Sequence, residues 1–391
     1  MTPRILTGLE HFIKKGSGFL KGKKIGLLAN PASVNNRLEH ALNVVHTLYP
    51  DDLKAAFSPQ HGFFAQKQDN MIETDHFTDP DLNIPVFSLY SRNRKPTREM
   101  FDLIDILLVD LQDAGCRVYT FIYTISYCME LAARTGKEVM ILDRPNPVGG
   151  IQVEGNLLEE EFASFVGRFP VPMRHGFTAG EISLFFNDRF AIDCDLSILP
   201  MKGWKRKMYY KDTGLEWILP SPNLPTPESC MVYPGQVVFE GTCLSEGRGT
   251  TRPFEFIGAP WLDSARLKQR VESRMEGIIL RPAAFEPTFG KWSGETCNGV
   301  QIHVVDRWKY KPCKTALLIL QEIVRLHPEH FTLKQPPYEY EYEKMPLDLI
   351  LGSRNIRKKI FGMQDIDDIE QNWQGELDTF IQNAKEYHLY D

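Results

Sequence analysis

The chain has 391 residues, of which 42% are hydrophobic and 25% charged, so a disordered or collagen-like chain is excluded. The formal net charge is -6, which excludes a global basic field of the kind that attracts nucleic acid or an anionic membrane. At about 100–200 residues per domain, the length predicts two domains. None of the seven cysteines forms a Cys-x-x-Cys pair, which predicts free thiols in a reducing compartment.

Compact apolar runs alternate with amphipathic segments over the first part of the chain. The pattern predicts strands at residues 23–29, 53–57, 85–89, 104–109 and 138–142, with helices at 4–16, 37–48, 97–103 and 120–136. Such alternation is typical of parallel βαβ units with right-handed crossovers. We therefore expect an α/β fold with a Rossmann-like parallel sheet.

The second part of the chain has a less regular pattern. Thr178 and Glu181 form a capping-box sequence that predicts a helix start, and residues 195–199 predict a further strand. The proline-rich passage Pro220–Pro227 is typical of a linker, so we expect a Rossmann-like subdomain over 1–220 and an α+β subdomain over 221–391. Within the latter we expect strands at 236–240 and 299–305, helices at 263–276 and 314–326, and a largely helical tail over 346–388.

Each predicted strand of the sheet ends in polar residues. Because parallel strands share one carboxyl edge, these side chains are expected to lie along one rim. They are Asn30, Gln60, His61, Tyr90, Asp110, Gln112, Asp113, Asp143, Arg144 and Asn146. The first βα turn, Asn30-Pro31-Ala32-Ser33, lacks the glycines of a dinucleotide site, and the chain has neither a P-loop nor a Gly-x-Ser-x-Gly elbow. We predict no cofactor.

Most of these residues also have a structural interpretation. Asp110 and Asp113 suit metal binding or acid–base chemistry, or else one of them caps the following helix and the other pairs with Arg117. Arg117 with Tyr119 suits bidentate recognition of a carboxylate, or else Arg117 forms a local ion pair. Asn146 lies in a rigid turn that it either stabilises or uses to bind hydroxyl groups. His61 precedes a glycine at a strand end, which favours a place on the rim.

Two glutamates, Glu240 and Glu246, flank a glycine-rich loop that lets the backbone approach a ligand closely. Glu246 is a candidate proton donor, or else an ion-pair partner of Arg248. His175 is a further rim candidate, whereas helix capping explains Glu181. A metal site would need about three converging ligands, for example His61 with Asp110, Asp143 and His175. No spacing demands such a site, and we predict none.

An ordered set of motifs extends over nearly the whole chain. It comprises Asn30-Pro31, Ser58-Pro59-Gln60-His61-Gly62-Phe63, residues 85–90, Asp110-Leu111-Gln112-Asp113-Ala114-Gly115-Cys116-Arg117-Val118-Tyr119-Thr120, Leu142–Pro147, Val153-Glu154-Gly155, Arg174-His175-Gly176, Ser221–Thr226, Tyr233-Pro234-Gly235, Phe239–Thr242 and Ser245–Thr250. With these motifs the chain resembles the NamZ-type exo-β-N-acetylmuramidases, a bacterial glycoside hydrolase family.

The resemblance implies removal of β-1,4-linked N-acetylmuramic acid from the non-reducing end of peptidoglycan fragments. It also implies a cleft between the two subdomains, and it adds Asn223 to the substrate-binding candidates. The lactyl carboxylate of muramic acid gives Arg117, Arg144 or Arg248 a ligand. The partner is thus a sugar, and the sequence leaves the oligomeric state open.

One departure from the family pattern concerns the chemistry. The family commonly has Glu where this chain has Gln60, and an amide cannot exchange a proton as a carboxyl group does. Either another acid acts here (Glu246, Glu240, Glu73 or Asp110, with Asp69 also nearby), or the chain is a sugar-binding homologue with impaired activity or altered specificity. A metal-dependent hydrolase is the remaining alternative. The N-terminus as numbered shows no apolar leader, which predicts a cytoplasmic location; a leader removed before this numbering would indicate the periplasm.

Overall fold

The computed structural model describes residues 4–64, 71–91 and 94–391. Its strands are β1 (Ile25–Ala29), β2 (Leu53–Ser58), β3 (Phe77–Thr78), β4 (Pro85–Ser88), β5 (Ile106–Asp110), β6 (Glu138–Leu142), β7 (Glu154–Leu157), β8 (Pro172–Arg174), β9 (Asp195–Leu199), β10 (Phe256–Ala259), β11 (Ile278–Phe285) and β12 (Cys297–Val304). The α-helices are α1 (Gly8–Lys15), α2 (Ala41–Leu48), α3 (Arg98–Phe101), α4 (Phe121–Thr135), α5 (Ala179–Arg189), α6 (Pro227–Gln236), α7 (Ser264–Val271), α8 (Pro312–Leu326), α9 (Pro346–Leu351), α10 (Arg354–Phe361) and α11 (Ile366–Ala384).

The larger sheet has seven strands in the order β3-β4-β2-β1-β5-β6-β9. Strand β3 pairs antiparallel with β4, and the other neighbours pair parallel. Without β3, this is the doubly wound order of a Rossmann fold, in which the direction of winding reverses between β1 and β5. The predicted Rossmann-like sheet is therefore confirmed.

Both faces of this sheet are buried, which explains its continuous apolar strands. On β5, Ile106 and Leu108 belong to a cluster with side chains of α1 and α2, whereas Leu107 and Val109 belong to a cluster with α4. The second cluster continues through α8 to Phe380 of α11. One apolar core thus joins the sheet to the C-terminal part, and the proposed boundary at residue 220 remains a prediction.

A second, antiparallel sheet has the order β10-β12-β11 and lies in the C-terminal part. The predicted second subdomain with both helices and strands is thus present. The capping box of Thr178 and Glu181 at the start of α5 is also present, with both reciprocal hydrogen bonds. None of the helices in the described ranges is long and apolar enough to span a bilayer.

The prediction of a strand at Gln236–Glu240 is wrong. Helix α6 begins after the N-cap Thr226, and the chain continues from Gln236 into a 3₁₀ turn over Val237–Gly241. Val237, Val238 and Phe239 are all buried, so the apolar run lacks the period that distinguishes a helix from a strand. Strand β11 escaped prediction because Pro282 interrupts it, which an edge strand tolerates.

Two glycines in helices give opposite expectations for substitution by alanine. A Cβ on Gly235 in α6 would lie 2.1 Å from the Pro312 carbonyl oxygen, whereas one on the exposed Gly375 in α11 would meet no atom within 4 Å. We expect Gly235→Ala to lower the free energy of unfolding by about 1–3 kcal/mol because it overpacks a helix contact. Gly375→Ala should raise it by about 0.5–1 kcal/mol. Chemical denaturation measures both, and equal effects would contradict this packing.

Candidate active site

Several segments of the chain meet around one narrow pocket between the parallel sheet and the C-terminal part. The end of β2 contributes Gln60 and His61, and the start of α4 contributes Tyr119 and Thr120. The remaining polar lining comes from Ser221, Asn223, Tyr233, Glu240, Arg248, Tyr338 and Glu339. The free space between these side chains is about 30 Å³, room for a water molecule but not for a sugar ring, so the pocket must widen when a sugar enters.

Glu240, in the 3₁₀ turn after α6, is the buried carboxylate on one side of the pocket. Its Oε1 accepts a hydrogen bond from Arg248 Nη2 at 2.6 Å, and its Oε2 accepts one from the Tyr338 hydroxyl at 2.7 Å. Burial alone would raise the pKa of Glu240, but the charge and hydrogen bond of Arg248 together with the Tyr338 hydroxyl lower it below the ordinary value. Glu240 is therefore held in its charged form.

The charged side chains of Glu246 and Lys291 hold the glycine-rich loop in place. Glu246 Oε1 lies 3.3 Å from Arg248 Nε, and its Oε2 accepts a hydrogen bond from Lys291 Nζ at 2.7 Å. The same ammonium group donates to the carbonyl oxygens of Phe239 and Leu244. Glu246 thus fixes Arg248 from behind and is not part of the pocket lining.

Glu339 is the second buried carboxyl group in the pocket lining. Its Oε1 accepts a hydrogen bond from Gln60 Nε2 at 3.2 Å, and its Oε2 accepts one from the Tyr90 hydroxyl at 2.7 Å. Burial and the nearby charge of Glu240 raise the pKa of Glu339 to about 7, although the bonds from Tyr90 and Gln60 oppose the shift. The two glutamates of one pocket thus have pKa values that are shifted in opposite directions.

A tight turn places Glu339 in the pocket. Tyr338 and Glu341 exchange backbone hydrogen bonds of 2.9 and 3.0 Å, and the two residues between them, Glu339 and Tyr340, have φ values of 45° and 66°. This left-handed conformation costs about 1–2 kcal/mol per non-glycine residue. Glu339 was not among the residues predicted from the sequence. The signal that could have found it is the alternation of acid and aromatic residues in Tyr338-Glu339-Tyr340 after two prolines.

Of the residues predicted for the site, the pocket brings six together. These are Gln60, His61, Tyr119, Asn223, Glu240 and Arg248. Thr120 adds a contact that the sequence did not indicate: its hydroxyl donates to Gln60 Oε1 at 3.0 Å instead of capping α4. The amide of Gln60 is therefore oriented from both sides, by Thr120 and by Glu339.

Three predicted residues instead fill the point where the winding of the sheet reverses. Asp110 is fully buried and accepts two hydrogen bonds from Arg144, at 2.5 and 2.8 Å. Asn30 donates to the carbonyl oxygens of Gln112 and Pro220. This geometry favours structural roles over the predicted catalytic role of Asp110 and the predicted sugar contacts of Asn30 and Arg144.

Gln112 and Arg117 also have their polar groups bonded within the protein. Gln112 Nε2 donates to the carbonyl oxygens of Asp113 and Pro145. Arg117 is fully buried, and its two terminal nitrogens donate to four carbonyl oxygens, those of Asn156, Val171, Ile350 and Leu351. Neither lines the pocket. The predicted ion pair of Arg117 is also replaced, by a set of carbonyl partners.

The remaining rim candidates hold the segment that leads into α5. Asp143 accepts hydrogen bonds from the Thr178 hydroxyl and the Gly180 amide, and burial raises its pKa to about 6. Asn146 Nδ2 donates to the Phe177 carbonyl. His175, also buried, accepts a hydrogen bond from the Phe177 amide through Nδ1. These contacts favour a scaffold role for all three predicted substrate ligands.

Glu73, one of the alternative acids, does not line the pocket. It is exposed, and its carboxylate lies 3.6 Å from Arg94. Asp69 lies outside the described residues. Within the described ranges, no three His, Cys, Asp or Glu side chains converge in a way that could hold a metal ion.

Comparison with known proteins points to one family. The family described as exo-β-N-acetylmuramidase NamZ matches with its N-terminal region over residues 25–228 and with its C-terminal region over residues 231–390. The peptidoglycan β-N-acetylmuramidase NamZ of Bacillus subtilis (strain 168) is 42% identical over 389 residues, which are 99% of this chain and 92% of the relative.

Solved structures show the same similarity. A crystal structure of a DUF1343 family protein from Bacteroides fragilis NCTC 9343 superposes with a TM-score of 0.89 at 34% identity and covers 99% of each chain. A second protein of that family from the same organism has a TM-score of 0.77 at 27% identity, and it covers 100% of this chain and 99% of its own.

A substitution at Asp110 separates its structural role from the predicted catalytic one. Asp110→Asn leaves the buried guanidinium of Arg144 without a charged partner, which should lower the free energy of unfolding by about 3–5 kcal/mol. The control is Asp102→Asn, in an exposed pair with Arg98, where a change of at most about 1 kcal/mol is expected. Denaturation and kcat are measured together. A stable Asp110→Asn variant that loses kcat would contradict the structural role.

Proposed function

The chain belongs to the exo-β-N-acetylmuramidase NamZ family, and from this premise we propose how its pocket acts on a sugar. The protein is a glycoside hydrolase that releases N-acetylmuramic acid, and the proposed source is the non-reducing end of peptidoglycan-derived fragments. The observation that carries the proposal is the charged Glu240, which Arg248 and Tyr338 bind in the pocket lining. A glycosidase needs such a carboxylate beside the anomeric carbon, where positive charge develops as the bond breaks.

Arg248 is proposed to bind the lactyl carboxylate of the muramic acid. Its Nη2 is bonded to Glu240, but the buried Nη1 has no hydrogen-bond partner among the described residues. The alternatives named from the sequence are less suited, because Arg117 bonds both terminal nitrogens to carbonyl oxygens and Arg144 bonds Nε and Nη2 to Asp110. Burial would lower the pKa of Arg248, but the charges of Glu240 and Glu246 raise it, so the guanidinium stays charged.

The leaving part of the substrate is proposed to lie in a groove next to the pocket. Asn223 lines both, and the groove continues along Thr250 and Thr251 of the glycine-rich loop to Phe256 and Phe285. The rings of these two phenylalanines stack at 5.0 Å. Aromatic faces beside hydroxyl-bearing residues suit a second sugar, which has apolar ring faces and polar edges.

The alternative of an impaired sugar-binding homologue depended on the amide at position 60. This alternative has little support, because the Gln60 amide is hydrogen-bonded to the carboxyl group of Glu339 in the same pocket. A carboxyl group therefore lies within one hydrogen bond of position 60. The location, which is cytoplasmic or, after removal of a leader, periplasmic, remains part of the proposal.

The activity is tested with a chromogenic 4-nitrophenyl β-N-acetylmuramide and with a disaccharide that carries N-acetylmuramic acid at its non-reducing end. We expect release of free N-acetylmuramic acid from both. Glu240→Gln should lower kcat by about 10²–10⁴-fold, because the amide cannot stabilise or attack the anomeric carbon. Glu246→Gln, the matched variant outside the pocket lining, should lose much less. A greater loss at Glu246 would contradict the assignment to Glu240, and binding without turnover would favour the sugar-binding homologue.

The groove is tested by filling it. Thr251→Trp places a large ring on its exposed wall and should raise the KM for the disaccharide by at least about tenfold, which equals about 1.4 kcal/mol of binding. The KM for the nitrophenyl muramide should change much less, because its leaving group is smaller than a sugar. Thr251→Ser is the control and should behave as the unmodified protein. Equal changes in KM for both substrates would exclude the groove as the leaving-group site.

A further inference from the structure

We propose that Glu339 is the general acid of this enzyme and that it replaces the carboxyl group absent at position 60, with Gln60 as its positioning residue. The inference rests on the proposed glycosidase function. Its first support is direct contact: Gln60 Nε2 donates to Glu339 Oε1 at 3.2 Å. A carboxyl group at 339 thus lies within one hydrogen bond of the side chain that ends β2.

Burial provides the second support. Glu339 is 4% exposed and lines the same pocket as Glu240, so both carboxyl groups border the space where a sugar binds. Arg248 compensates the charge of Glu240 with a direct hydrogen bond, whereas Glu339 accepts hydrogen bonds from two uncharged donors, Gln60 and Tyr90. Two carboxyl groups in environments that separate their pKa values suit one acid and one charged partner.

Backbone conformation provides the third support. Glu339 and Tyr340 form the tip of a tight turn in the left-handed region, a conformation that glycine and asparagine favour. Such strain persists where the surrounding structure imposes it, and it is common at active sites. Here the Tyr90 hydroxyl, which also accepts a hydrogen bond from the Met71 amide, holds the carboxyl group at the turn tip.

The proposed step couples proton transfer from Glu339 to cleavage of the glycosidic bond. Glu339 gives its proton to the glycosidic oxygen, the bond between C1 and that oxygen breaks, and the electron pair stays on the oxygen, so the leaving sugar departs as a neutral alcohol. The positive charge that develops at C1 faces the Glu240 carboxylate. One water molecule then supplies the hydroxyl group of the released sugar, and the remaining proton of that water restores the protonated form of Glu339.

The charge environment gives the expected pH dependence. The titratable and charged groups around Glu339 are His61, Tyr90, Arg94, Glu240, Arg248, Tyr338 and Tyr340. Because the pKa of Glu339 is raised to about 7, the protonated form that donates is present below this value. We therefore expect kcat/KM for the disaccharide to fall as the pH rises through about 7, and this alkaline limb should be absent in Glu339→Gln.

The leaving group distinguishes an acid from a residue with a structural role. A nitrophenolate departs without protonation, whereas a sugar oxygen needs a proton. Glu339→Gln should therefore lower kcat/KM for the disaccharide by about 10²–10⁴-fold and for the nitrophenyl muramide by less than about tenfold. Glu343→Gln, an exposed change in the same segment, is the control and should leave both values unchanged.

The double variant Gln60→Glu with Glu339→Gln exchanges the amide and the carboxyl group across their hydrogen bond. It should recover at least about tenfold of the activity that Glu339→Gln loses, because an acid is again present beside the glycosidic oxygen. Equal loss on both substrates in a folded Glu339→Gln variant, a retained alkaline limb, or no recovery in the exchanged variant would overturn the proposal. An unmodified protein that hydrolyses neither substrate would instead refute the glycosidase function itself.

Discussion

The buried guanidinium of Arg117 is the constraint on which the geometry of the pocket depends. It lies in the segment between β5 and α4, and it donates to carbonyl oxygens at Asn156 and Val171 on one side and at Ile350 and Leu351 on the other. A buried cation with four oriented acceptors has little freedom to move, because each lost bond leaves a costly unpaired group. The bonds therefore fix the sheet against α9 and place Tyr119 and Thr120 at the pocket.

The proposed chemistry depends on the different charge environments of two carboxyl groups, those of Glu240 and Glu339. Arg248 and Tyr338 satisfy both oxygens of Glu240 and keep it charged, and Glu246 with Lys291 holds Arg248 in place. The charge of Glu240 in turn helps to raise the pKa of Glu339. Burial first, and then the charge of Glu240, favours the protonated form of Glu339, which is the division of roles that acid-assisted glycoside cleavage requires.

The sequence was informative where a local pattern determines the structure. Apolar runs located the parallel strands, because a strand buried on both faces leaves a continuous signature, and the capping box located the start of α5. It was less informative about the rim. Polar residues at strand ends such as Asp110, Asp143 and Asn146 are bonded inside the protein, and a sequence does not show whether a polar side chain faces a ligand or a neighbouring carbonyl group.

Long-range contacts explain why the second carboxyl group was missed. Gln60 and Glu339 are 279 positions apart, and only the folded chain brings them within a hydrogen bond. The absence of a carboxyl group at position 60 suggested a defect, whereas the structure provides one from the C-terminal part. Glu240 and Arg248 were found because they flank a glycine-rich loop, which is a local signal, but their bond to Tyr338 was not predictable from it.

The most direct test of this account measures the protonation of Glu339 itself. Carbon-13 NMR of protein labelled at the glutamate carboxyl carbons resolves titrating groups across the pH range. We expect a glutamate resonance whose titration midpoint gives a pKa of about 7 and which disappears in Glu339→Gln, whereas the resonance of Glu154, whose pKa burial also raises to about 7, remains. If Glu339→Gln removes no resonance that titrates near neutrality, Glu339 is charged in the enzyme and the division of roles between the two carboxyl groups is wrong.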